Sequence, residues 1–155
     1  MGKGKFSGTV INELKLVIPS LSVNEGAARA VVAAFCAQFD PTATELADIK
    51  CAVSEAVTNC IVHAYRERVG KIYIDVKLYE ERFVRICVKD RGCGIEDVKA
   101  ARQPLYTTDA AGERSGMGFT VMENFMDKLS VSSRVGRGTA ITMYKQISSS
   151  SLSCL

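Results

Sequence analysis

Residues 46–64, LADIKCAVSEAVTNCIVHA, carry two signals on one helix, and their reading decides the fold. Leu46, Ile49, Val53, Ala56, Val57, Cys60 and Ala64 recur at about 3.6 residues and form an apolar stripe. Glu55, Asn59 and His63 stand at i, i+4 and i+8, a polar ridge beside that stripe. Asn is a poor mid-helix residue because its amide competes with the backbone. Its amide oxygen can ligate Mg²⁺, and a carboxylate one turn away can take a proton from an attacking hydroxyl. Alone, three polar residues on a ridge are better read as a solvated helix face.

Upstream, Leu14, Leu16 and Ile18 alternate with polar neighbours and predict a strand over 12–18. Ser22-Val23-Asn24-Glu25 has capping-box spacing and predicts a helix to about Phe39. Asp40-Pro41 ends it and opens the second helix, which runs to about Arg66. After Gly70 the period becomes two. Ile72, Ile74, Val76 and Leu78 share one face, and Val84, Ile86 and Val88 follow a turn near Glu80-Glu81. Asp90 extends that inward alternation by one step, so its carboxylate needs a partner.

A short helix over 95–102, an aperiodic loop over 103–118, a helix over 119–127 and a hairpin (129–133, 139–147) follow. The order β-α-α-β-β-loop-α-β-β implies an α+β fold, a two-layer α/β sandwich with a mixed sheet and helices on one face. One domain is expected over 1–147, with a disordered Ser-rich tail over 148–155.

Composition excludes several classes of function. The 155 residues are 47% hydrophobic with a net charge of +3, and Lys and Arg are scattered, so direct nucleic-acid binding is not expected. No apolar run approaches the ~18 residues of a membrane span, so no membrane contact and a cytoplasmic location are expected. Six cysteines and one histidine, without a Cys-x-x-Cys pair, fit neither a zinc site nor a disulfide framework. Most of the cysteines are expected to be small buried apolar residues in a reducing compartment.

Three further motifs can carry chemistry. Asp90-Arg91-Gly92-Cys93-Gly94 ends a strand. Its carboxylate can accept from an adenine amino group, and Gly92 and Gly94 permit close backbone approach, although a capped turn explains it locally. Ser115-Gly116-Met117-Gly118 precedes a helix, where free N–H groups and the dipole favour phosphate, with Arg114 beside it for a terminal phosphate. A hinge is the competing reading. Gly138-Thr139 opens the last strand with Thr139 facing inward near Asp90; a hairpin turn serves equally well.

Together, in this order, these elements resemble the Bergerat-type ATP-binding fold shared by gyrase, Hsp90, histidine kinases and MutL. Glu55-x-x-x-Asn59 looks like its N box, and Asp90-x-Gly-x-Gly and Ser115-Gly-Met-Gly its two glycine boxes, with a mobile ATP lid between them. Val53-Ser54-Glu55-Ala56-Val57-Thr58-Asn59, Ala101-Arg102-Gln103-Pro104-Leu105 and Glu113-Arg114-Ser115-Gly116-Met117-Gly118-Phe119 further resemble the anti-sigma F factors, serine-protein kinases within that superfamily. So does Met122-Glu123-Asn124-Phe125-Met126-Asp127.

That resemblance implies a homodimer that binds ATP or ADP with Mg²⁺. It implies a sporulation sigma factor of the sigma F type as the partner held inactive, and an anti-anti-sigma protein phosphorylated on serine. Asn59 would ligate Mg²⁺, Glu55 and Arg114 would act in transfer, and His63, Asp90, Gly92, Gly94, Ser115, Gly116, Met117, Gly118 and Thr139 would line the nucleotide. Arg29, isolated among alanines, is a candidate partner contact or a plain surface arginine. A stress-response anti-sigma kinase and a non-catalytic ATP-gated binding module share the same motifs.

Overall fold

The computed structural model describes residues 6–104 and 117–148. Five strands form one sheet in the order β1-β2-β3-β5-β4. They are β1 (Val10–Pro19), β2 (Lys71–Tyr79), β3 (Phe83–Lys89), β4 (Lys128–Arg134) and β5 (Gly138–Gln146). The helices are α1 (Asn24–Cys36), α2 (Ala43–Asn59), α3 (Val98–Ala101) and α4 (Gly118–Phe125). Ile72, Ile74, Val76, Leu78, Val84, Ile86, Val88, Ile141 and Met143 line one sheet face, and Ile49, Val53, Ala56, Val57 and Met122 cover it. Both predicted periodicities therefore meet in one core between a sheet and a helical layer.

The α+β sandwich is as expected, but the sheet is antiparallel throughout rather than mixed. The crossover from β3 to β4 does make those two strands run in the same direction. β5 inserts between them and pairs antiparallel with both, so no parallel ladder forms. Lys145 follows Ile141 and Met143 on the core face of β5, and its Nζ donates to Phe125 O at 2.7 Å and to Asp48 Oδ2 at 3.2 Å. A buried cation is tolerated there because it is paired and hydrogen-bonded.

Helix starts differ from expectation. α1 has no side-chain cap at its N-terminus, because the Glu25 carboxylate turns to the Ser54 hydroxyl and to Arg29. The capping box stands instead at α2, where Thr42 Oγ1 accepts from Glu45 N and Glu45 Oε2 accepts from Thr42 N. Pro41 thus precedes the cap and lies outside the first turn. α2 ends at Asn59 and passes into a π-helical turn over Cys60–Ala64, marked by the Tyr65 N to Cys60 O bond. The wider turn removes His63 from the strict i+4 ridge.

Ser148, assigned to the tail, is held by Glu45 Oε1 and by Arg82; residues 149–155 lie outside the described residues. Cys36, Cys51, Cys60, Cys87 and Cys93 are free thiols. Among the described cysteines only Cys36 and Cys60 are buried, and the expectation of mostly buried cysteines fails at Cys51 and Cys93, which are exposed.

Candidate functional site

Asp90 stands one residue past β3, where the inward parity of Val84, Ile86 and Val88 carries its carboxylate into the core, 4% exposed. Its main-chain N–H still donates to Thr139 O, continuing the pairing with β5. Oδ1 accepts from Gly92 N at 2.9 Å and from Thr139 N at 3.2 Å. The Cys60 thiol donates to Oδ2 at 3.6 Å. Burial pushes the carboxyl above the usual carboxylate range, and the Gly92, Thr139 and Cys60 donors oppose that rise.

Thr139 therefore meets Asp90 through its backbone N–H. Its hydroxyl, expected to face inward near Asp90, pairs with Ser133 Oγ at 2.8 Å. Ser133 is a residue the sequence reading missed. Its Oγ also accepts from Ile95 N at 2.7 Å, so it ties the Gly92–Gly94 loop to β4 and β5. Its half-buried place on a strand of alternating polar residues carries no distinguishing signal.

The glycines are required by close approach. A Cβ at Gly92 would lie 2.3 Å from Ala64 O, and one at Gly138 (φ +108°) 2.1 Å from Asp90 O. No side chain fits either place. The loop is also fastened to the end of the π turn: Cys93 N donates to Ala64 O and the Cys93 thiol to His63 O. His63 thus meets the Asp90 loop through its carbonyl. Tyr65 completes the fastening, accepting from Arg91 N and donating to Lys71 O, both at 2.7 Å.

The second cluster forms where α4 starts against α2. A Cβ at Gly118 would lie 3.0 Å from Glu55 Oε2, 3.6 Å from Asn59 Oδ1 and 3.8 Å from Asn59 Nδ2. The first residue of α4 thus packs directly on the predicted pair, and Met117 is its N-cap. Helix starts of this kind leave main-chain N–H groups for an anion. Arg114, Ser115, Gly116 and most of the predicted lid lie outside the described residues. Glu55 and Asn59 are half-buried, and Cys60, next in sequence, joins this cluster to Asp90.

A groove of about 790 Å³ lies along α1 and α2 and reaches the same cluster through Glu55. Arg29, Ala33, Lys50, Cys51, Ser54 and Glu55 line it. Arg29 is half-exposed and not isolated, since Glu25 one turn earlier pairs with it at 3.6 Å. An exposed i,i+4 pair is worth only a few tenths of a kcal/mol, so little holds the guanidinium from another carboxylate. No described helix is long and apolar enough to cross a membrane.

The chain is similar to known proteins. The model of the family "Histidine kinase-like ATPase domain" matches residues 18–145. The "Anti-sigma F factor" of Bacillus subtilis (strain 168) is 52% identical over 144 residues, covering 92% of this chain and 98% of the relative. That of Caldanaerobacter subterraneus subsp. tengcongensis is 55% identical over 136 residues, covering 88% and 94%. Among solved structures, the RsbU and RsbW domains of Rv1364c from Mycobacterium tuberculosis superpose with a TM-score of 0.65 at 22% identity, covering 88% of this chain and 32% of that one, a likeness of fold. By the family match and these identities, the chain belongs to the histidine kinase-like ATPase domain family and, within it, to the anti-sigma F factors.

Proposed function

We propose that the chain is an ATP-dependent serine kinase that inhibits a sigma factor of the sigma F type and phosphorylates its anti-anti-sigma antagonist. The observation that carries the reading is the packing of Gly118 on Glu55 and Asn59. It sets a helix start, a carboxylate and an amide oxygen together, the parts that phosphoryl transfer by positioning and charge neutralisation needs. The half-buried Glu55 carboxylate takes the proton of the acceptor serine as its oxygen attacks the γ-phosphorus, the bond from that phosphorus to the β–γ bridging oxygen breaks, and ADP leaves. The main-chain N–H groups at Met117 and Gly118, with Arg114, hold the phosphates. Asp90 accepts from the 6-amino group of adenine through Oδ2, since Oδ1 already takes two main-chain donors.

The donor set fits Mg²⁺, a hard cation that keeps several waters and takes few protein ligands when it rides on phosphates. Asn59 Oδ1 would hold it, and bound there it would neutralise charge on the phosphates. Among the described residues no group of three or more His, Cys, Asp and Glu is arranged for a metal, and a phosphate-borne ion requires none.

The groove supplies the approach for a partner. Arg29, Lys50 and Glu55 all line it, so a protein held by the two basic side chains brings its serine to the carboxylate. The likeness to the anti-sigma F factors supports a homodimer in the cytoplasm and supports the sigma factor as the second partner. The test is incubation with ATP, Mg²⁺ and a candidate anti-anti-sigma protein, followed by mass spectrometry for phosphoserine. Sigma binding without any phosphoserine would reduce the chain to an ATP-gated binding module.

A further inference from the structure

Cys60 is buried, follows Asn59 directly, and opens the π turn. The sequence pattern places it in an apolar stripe, yet its thiol meets Asp90 Oδ2 at 3.6 Å. The two oxygens of that carboxylate differ. Oδ1 is pinned by the amides of Gly92 and Thr139, both fixed by the backbone. Oδ2 is reached by a side-chain donor, and an ionised carboxylate oxygen has a second lone pair for a ligand.

We propose that Cys60 is a positioning residue for nucleobase specificity: its S–H donates to Asp90 Oδ2 and keeps that oxygen an acceptor, which favours a 6-aminopurine over a 6-oxopurine. This rests on the reading of Asp90 as the base-binding group. The chemistry is a choice between two states of one carboxyl. With a proton on Oδ2, the group donates and suits the carbonyl of hypoxanthine; without it, the group accepts and suits the amine of adenine. Burial favours the protonated form, and a donor aimed at Oδ2 opposes it. In this pair the thiol S–H is the donor and the carboxylate oxygen, 3.6 Å from the sulfur, the acceptor. S–H is a weak donor, but it acts here in a low-dielectric interior where each donor counts for more.

The experiment titrates the full chain with ATP and with inosine 5′-triphosphate by calorimetry, in wild type, Cys60→Ala, Cys60→Ser and Asp90→Asn. Cys60→Ala is expected to weaken ATP about threefold to tenfold and to narrow the ATP-to-ITP preference. Cys60→Ser, which keeps a donor, should restore both. Cys60→Val, an apolar near-isostere, carries the same comparison if Cys60→Ala does not fold. A merely structural role would weaken both nucleotides equally and leave the preference at its wild-type value, and that result overturns the inference. Unchanged preference in Asp90→Asn overturns the base-binding reading itself, and the Cys60 inference with it. Altered preference in Asp90→Asn with none in Cys60→Ala overturns Cys60 alone.

Discussion

The Asp90 end and the Glu55 end of the site are built from different materials. At Asp90 a buried carboxylate is gripped by main-chain amides, and Gly92 and Gly138 stand where no Cβ fits. At Glu55 and Asn59, half-buried side chains on α2 meet the first residue of α4. The first end is part of the framework, and the second is mounted on it. A side chain added at the framework glycines costs folding along with binding, whereas the mounted end can be silenced in an intact protein.

The sharpest way to break this contrast is Glu55→Gln. Phosphorylation should fall about 10²- to 10⁴-fold, the usual weight of a general base, while ATP affinity and Tm hold. Combined loss of activity, binding and Tm would make Glu55 part of the framework. Gly138→Ala comes next: with φ at +108° and a Cβ 2.1 Å from Asp90 O, about 3 kcal/mol of stability should go. That is roughly 6–12 °C in Tm, read by thermal melt. A melt matching wild type would show that the Asp90 loop yields freely.

Asp90→Asn separates the carboxylate's two roles. The carboxyl's folded pKa is raised, so it binds protons more readily folded than unfolded. Its stabilising contribution is present at low pH and is lost as pH rises from about 3.8 through the folded value. At neutral pH the buried charge is a cost, so Asn should leave Tm unchanged or higher while ATP affinity falls about tenfold. A large drop in Tm at pH 7 argues that the charge holds the loop. Smallest in stability is Arg29→Ala, within about 0.5 kcal/mol, with a measurable loss only in affinity for a protein partner; unchanged partner binding returns Arg29 to a surface arginine.

The sequence showed much of the framework and less of how the site closes. Alternation at 72–78 and 84–88 marked the strands because burial on one sheet face leaves a period of two. The helix from Leu46 was legible for the same reason at 3.6 residues. The π turn after Asn59 leaves no such trace, since its stabilising contacts come from the distant Gly92–Cys93 loop. Parity placed Thr139 beside Asp90, but parity reads side chains, and the bond to the carboxylate comes from the backbone N–H. Ser133 and Cys60 stayed hidden because one resembles any strand serine and the other any buried apolar residue.

β5 follows every other described strand along the chain, yet it lies between β3 and β4. As the chain is synthesised, β1, β2 and β3 can pair while Asp90 still lacks the Thr139 amide and β3 shows an open edge. Insertion of β5 closes that edge and completes the carboxylate's shell in a single event. Competence to bind nucleotide is thus the last property the newborn protein acquires, and a nucleotide that binds only the finished form draws the population towards it by mass action.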